Sequence, residues 1–181
     1  QNQNNKKTAQ RLLTYLRKEN HWSPFEMVSA CLEITSTRDI IRQVLRHRSF
    51  SFQEFSQRYA EVDSSNISCF RELRLQDTKN RQNSIETENV DLKLDWLKKQ
   101  SEVIVAAKDT YNWAIKNGVA KEQARAVLSE GLTSSTIYMQ GTIRSWIHYI
   151  DLRSANGTQK EHMEIAIECN KVLKSAFPNI F

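Results

Sequence analysis

A helix-rich single domain, α-rich or α/β, is what this sequence predicts, and three observations carry the prediction. At 181 residues the chain suits one hydrophobic core and is short for two. Only four Gly and two Pro punctuate it, too few for a turn-rich sandwich or barrel. Apolar residues recur at helical spacing in several segments, separated by short β-branched runs.

The elements follow in order. The opening QNQNNKK is a polar, low-complexity run without an initiator Met, so residues ahead of Gln1 are expected to be missing from this chain. From Thr8 to Arg17, Leu12, Leu13, Tyr15 and Leu16 predict a helix that stops near Asn20. HWSPFE then reads as a turn. Met27 to Thr35, MVSACLEIT, reads as a strand because it is β-branched and loosely alternating. Ser36 or Thr37 can cap a helix, TRDIIRQVLRHR, with Ile40, Ile41, Val44 and Leu45 on one stripe. FRELRLQ reads as a short exposed strand, and DTKNRQNSIETEN as a long loop.

Asp91 to Lys116 carries Trp96, Leu97, Ile104, Ala107, Tyr111 and Ile115 at helical intervals and ends before Gly118, a suitable C-cap. A short helix, KEQARAVL, and a strand, SSTIYMQ, come next. TIRSWIHYIDLR predicts a helix with Ile143, Trp146, Ile147 and Ile150 on one face; NGTQ breaks it, and a last helix, Lys160 to Ala176, closes before Pro178.

Composition narrows the function. A hydrophobic fraction of 39%, with four Trp and seven Phe, excludes a wholly disordered chain. Lys and Arg outnumber acids 26 to 21, a net charge of +5, which favours an anionic partner without naming it. Cys31, Cys69 and Cys169 are an odd number without CxxC spacing, so reduced thiols in a cytoplasm fit better than a disulfide framework or a zinc site. No apolar run approaches the roughly 20 residues of a membrane span. Neither GxGxxG nor GxxxxGK occurs, so a bound nucleotide must be held by side chains.

The chemistry concentrates in RHRSFSFQEFSQR, residues 46–58. Arg46 and Arg48 leave a helix end, where cations are favoured in any protein, and a basic cluster is by default a solvated face. The same segment sets the forked donors of Arg48 and Arg58 beside the hydroxyls of Ser51 and Ser56, which is the inventory that holds a phosphate. Composition leaves both readings open. Arg144 and Arg153 are nine residues apart on one helix and point in roughly opposite directions at about 100° per residue.

RHRSFSFQEFSQR fits the pattern RHRxxSxxxxSxR, and with HWSPFEM, IRQVLRHR, RLQDTKNRQNS, ARAVL and TIRSWIHYIDLRSANGTQKEH in this order it resembles the flavin-dependent thymidylate synthases, in particular viral and bacterial members. The resemblance implies an α+β fold, helix-rich around a small, mainly antiparallel sheet, a homotetramer with active sites between subunits, and an N-terminal strand expected to be missing from this chain. It implies reductive methylation of dUMP to dTMP, with methylenetetrahydrofolate as carbon donor and FAD reduced by NADPH. No nucleic acid or membrane is expected as a partner, and the expected location is cytoplasmic, the host cytoplasm for a viral protein.

Carried over by position, Gln43, Arg46, Glu54, Phe55, Ser56, Gln57, Arg58, Arg125 and Arg153 are expected at dUMP. Ser23, Glu26, Arg46, His47, Arg48, Glu54, Thr142, Ile143, Arg144 and His148 are expected at FAD. Arg153 is the expected catalytic group, because an arginine stabilises the anion that forms on the uracil ring although it cannot act as a base. No metal is expected. The alternative is a non-enzymatic nucleotide or nucleic-acid binding protein using Arg46, Arg48 and Arg58.

Overall fold

Helices dominate because most long segments of this chain bury a 3.6-residue stripe and few bury an alternating one. The computed structural model describes the backbone of residues 6–181 and side chains from residue 8 onward; the QNQNN run lies outside them. The element order is α1 (Lys6–Lys18), β1 (Ser29–Thr37), α2 (Arg38–Val44), β2 (Ser51–Glu54), β3 (Arg74–Gln76), β4 (Ser84–Glu86), α3 (Val90–Lys116), α4 (Lys121–Ala124), β5 (Ser134–Thr142), α5 (Ile143–Arg153) and α6 (Lys160–Ala176). Strands β1, β5 and β2 form one sheet in the order β1-β5-β2, and β3 pairs with β4 antiparallel. In the central strand β5, Ser135, Ile137, Met139 and Gly141 are buried in alternation with exposed Tyr138 and Gln140, the period-2 signature of a pleated strand.

Two expectations are corrected. DTKNRQNSIETEN is not one long loop: Ser84–Glu86 folds back onto Arg74–Gln76, with Leu75 opposite Ile85. The first strand starts at Ser29 rather than Met27, since Met27 and Val28 are exposed and the preceding Ser23–Glu26 is a single 3₁₀ turn.

The chain divides into two compact units, each assembled from separated stretches. Among the described residues the first comprises 6–32, 47–52 and 139–181, the second 33–46 and 53–138. In the first, the turn residue Phe25 packs with Ile143 and Ile147 of α5, with Leu13 and Leu16 of α1 against them. Trp146 is fully buried and donates Nε1–H to the Ala30 carbonyl at 3.1 Å, and α6 adds Ala166, Cys169 and Leu173 to the interior. Helix α1 ends where Asn20 takes a left-handed conformation, φ 58°, which asparagine tolerates better than most residues.

In the second unit the 27-residue helix α3 is capped by Asn89, whose side chain accepts from the Leu92 amide at 3.0 Å. It buries Gln100, Ile104, Ala107, Tyr111 and Ala114, spaced four and three apart. Val62, Ile67, Ala124 and Leu128 complete that core, and the Val62 amide donates to the Tyr111 hydroxyl at 2.9 Å. Gln100 fixes the preceding loop by accepting from the Arg71 amide at 2.7 Å and donating to the Arg71 carbonyl at 3.0 Å. No helix among the described residues is long and apolar enough to cross a membrane.

Candidate functional site

In the first unit the expected residues fall into two groups. The earlier one starts at the 3₁₀ turn, where Pro24 at the first helical position sets φ and buried Phe25 anchors the segment. That places the Glu26 carboxylate 2.8 Å from Arg144 Nη1. Hydrogen bonding to Thr142, followed by Arg144, holds Glu26 below the usual carboxylate range. Thr142 also caps α5, accepting from the Ser145 amide at 3.2 Å. One turn along the helix, Arg144 Nε donates to His148 Nε2 at 3.4 Å, and the His148 ring lies 4.5 Å from the Trp22 ring. Ser23 is exposed at the start of the turn. Ile143 is 1% exposed and packs against Phe25 and Ile147, so its side chain serves the core.

The later group surrounds His47. Arg153, at the C-terminal end of α5, donates Nε–H to His47 Nε2 at 2.9 Å. Burial, followed by the Arg153 charge, lowers the His47 pKa below its ordinary value. Arg48, next along the chain, is exposed. His47 packs edge-on against Tyr149 with ring centroids 4.8 Å apart, and Tyr149 Oη lies 3.2 Å from His162 Nε2. Tyr149 and His162 are both buried and neither was expected from the sequence. Tyr149 precedes Arg153 by one helical turn, a local signal that could have flagged it; no local signal marks His162.

In the second unit the segment after β2 makes a tight turn. Phe55 donates its amide to the Thr136 carbonyl at 3.0 Å, leaving its ring 60% exposed. Ser56 Oγ accepts from the Arg58 amide at 3.4 Å, and the buried Gln57 points away from solvent. Glu54 accepts from Arg38 at 3.3 Å and from the Ser135 hydroxyl at 3.0 Å. Arg58 pairs with Glu122 of α4 at 3.3 Å, and half-buried Arg125 ends that helix. Gln43 is half-buried on α2 and Arg46 is exposed just beyond it. A cleft of about 340 Å³ opens beside this turn, lined by Glu33, Phe55, Gln57, Asn66, Ser135 and Thr136 among others.

The arrangement offers forked cations, hydroxyls and turn amides suited to an anionic nucleotide. Among the described residues no group of three His, Cys, Asp or Glu could hold a metal ion.

Comparison with known proteins agrees in kind. Residues 1–179 match the family described as thymidylate synthase complementing protein. The chain is 48% identical over 180 residues to a probable flavin-dependent thymidylate synthase of Paramecium bursaria Chlorella virus 1, covering 99% of this chain and 82% of the relative. It is 45% identical over 170 residues to the flavin-dependent thymidylate synthase of Synechocystis sp., covering 94% and 77%. Among solved structures it resembles the UMP/dUMP methylase PolB of Streptomyces cacaoi bound with 5-Br UMP, with a TM-score of 0.81 at 25% identity over 97% of this chain and 81% of that one.

Proposed function

The chain belongs to the flavin-dependent thymidylate synthases, and on that premise we propose how its residues divide the reductive methylation of dUMP to dTMP. Methylenetetrahydrofolate is the carbon donor, and bound FAD carries the hydride that originates in NADPH. The observation that carries the reading is 48% and 45% identity to two relatives so named, over nearly all of this chain, together with an intact RHRxxSxxxxSxR segment. Nothing in the relatives favours the nucleic-acid alternative.

The residues present fit a flavin dinucleotide. Arg144, Arg48 and His148 supply donors for a diphosphate beside the N-terminus of α5, whose dipole favours an anion. Glu26 supplies an acceptor kept ionised by Thr142 and Arg144, suited to ribose or adenine donors. Ser23, Thr142 and His47 complete this set within the first unit, and the family motif adds Ile143, Arg46 and Glu54 by position.

The nucleotide's phosphate and sugar belong to the turn around Ser56, with Arg58, Arg125 and Arg46 as cations and Gln43, Glu54, Phe55 and Gln57 as its further lining. Arg58 already faces a carboxylate in exposed surroundings, so exchanging Glu122 for a phosphate costs little. Arg153 faces uracil. As charge develops on the ring carbonyls, its permanently charged fork stabilises the anion, and C5 becomes the nucleophile toward the one-carbon unit. The other residues orient the rings and exclude water.

We extend the proposal to assembly and location: one domain, a homotetramer, and a cytoplasm. The exposed Phe70, Leu94, Leu97 and Val105 line an open groove of about 890 Å³ along α3, apolar surface that association of copies would cover. The test is chromatographic detection of dTMP from dUMP. Product is expected only with methylenetetrahydrofolate, NADPH and FAD all present, and about 100-fold less with Arg153→Ala. Absence of product from the complete mixture would overturn the assignment.

A further inference from the structure

A relay of neutral rings, two buried and one half-buried, stands behind the arginine that faces uracil. Arg153 donates Nε–H to His47, and among the described residues its two Nη groups make no hydrogen bond, which leaves them for a ligand. Because guanidinium nitrogens only donate, His47 must be neutral, with its proton on Nδ1 and a bare Nε2. The ring is therefore in the one state that can hold the arginine.

The surroundings of His47 enforce that state. From α5 it meets Arg153 and the edge-on Tyr149, and from α6 the His162 ring at 6.1 Å. Cys169 lies behind them, acting on Tyr149. Arg46 and Arg48, its neighbours along the chain, are exposed. The one charge that acts on His47 among the described residues is Arg153, which disfavours protonation, as does burial. Tyr149 and His162 are themselves kept neutral: burial raises the phenol well above its usual range, and burial followed by Arg153 and His47 pushes His162 down to about 4.

His162 is fully buried, and its Nδ1 has no partner among the described residues. A leucine of similar size would fill that space without an orphaned nitrogen. What the histidine adds is its Nε2 beside the Tyr149 hydroxyl at 3.2 Å, which pins the phenol ring against His47.

We infer that Tyr149 and His162 are positioning residues for Arg153, acting through His47: they fix and dehydrate the imidazole whose Nε2 sets the orientation of the guanidinium. The inference rests on the reading of Arg153 as the group that faces uracil. Protonation of His47 replaces the acceptor by a donor and releases the arginine, so turnover should show an acid limb that follows His47.

The test uses FAD-loaded enzyme. In protein labelled with ¹⁵N-histidine, the four histidines are assigned by single substitution. His47 is expected as the Nδ1–H tautomer, titrating below 6.5 together with the acid limb of kcat, and His47→Gln, an acceptor that does not protonate, is expected to remove that limb. Tyr149→Phe and His162→Leu are expected to lower kcat about tenfold with less than about twofold change in KM for dUMP, while His162→Gln, which restores a partner for the hydroxyl, stays within about threefold. His47 as the Nε2–H tautomer, or kcat unchanged in both Tyr149→Phe and His162→Leu, would overturn the inference. So would equal loss in His162→Gln and His162→Leu accompanied by loss of FAD. If His162→Leu does not fold, Tyr149→Phe and His162→Gln decide. Full activity in Arg153→Ala would instead refute the role of Arg153 while leaving the tautomer result to judge the relay.

Discussion

Replacing Gly141 by alanine isolates one packing contact beneath the site. The glycine is buried in β5 at an unstrained backbone conformation, so a side chain there meets no backbone penalty. In such a strand Gly→Ala alone should stabilise by about 0.5–1 kcal/mol, because glycine loses more freedom on folding. Here the added Cβ would lie 2.5 Å from Phe50 Cδ1 and 2.6 Å from Cε1. The Phe50 ring has nowhere to retreat, since it is 9% exposed and packs edge-on against Trp146 at 4.9 Å and Tyr149 at 5.9 Å. Overpacking of this kind costs about 1–3 kcal/mol, which exceeds the entropic gain and reverses the sign. Urea unfolding at fixed protein concentration is the assay, with Phe50→Leu as the second arm of a double-mutant cycle. Gly141→Ala should destabilise the wild type and cost markedly less beside Phe50→Leu. A stabilising effect in the wild type, or equal effects in both backgrounds, would refute the reasoning.

Neutral His162, with a pKa of about 4 against 6.5 unfolded, binds fewer protons in the fold, so its contribution is complete above pH 6.5 and is lost as pH falls toward 4. That gap corresponds to up to about 3 kcal/mol, and about half of it once relaxation and screening are allowed for; urea unfolding at pH 7 and pH 4.5 should therefore show a shallower acid loss in His162→Leu than in wild type. Arg58→Ala removes an exposed pair with Glu122, so stability should change by less than about 1 kcal/mol while KM for dUMP rises at least about tenfold and FAD content stays constant; equal loss of both ligands would sink the division of labour. Burial pushes the Cys169 thiol up to about 12, so Ellman's reagent should leave it unmodified in the folded protein and titrate all three cysteines only in denaturant.

Helices were the legible part of the fold. Ile104, Ala107, Tyr111 and Ala114 repeat every three or four residues, and such a stripe has one physical interpretation. Strand β4 was illegible because SIE is three exposed residues whose only reason to be extended is its partner Arg74–Gln76. Met27 and Val28 misled in the opposite way, since apolar letters imply a strand only when a core covers them. In the site, the arginine-rich segment was visible as a motif, but its partners were not. His47 and Arg153 are 106 residues apart, Glu54 and Ser135 81, and Arg58 and Glu122 64, and no local pattern encodes such meetings. Ile143 shows the converse, a position in the motif whose side chain is claimed by packing.

A flavin-dependent thymidylate synthase must couple its bound flavin to dUMP. The most direct measurement is the visible absorption spectrum of the purified protein loaded with FAD, followed anaerobically as NADPH, dUMP and methylenetetrahydrofolate are added in turn. Oxidised flavin bands that bleach with NADPH and return as dTMP forms, only when dUMP and the folate are both present, are the predicted result. A protein that takes up no FAD, or whose reduced flavin is indifferent to dUMP and the folate, would contradict the account.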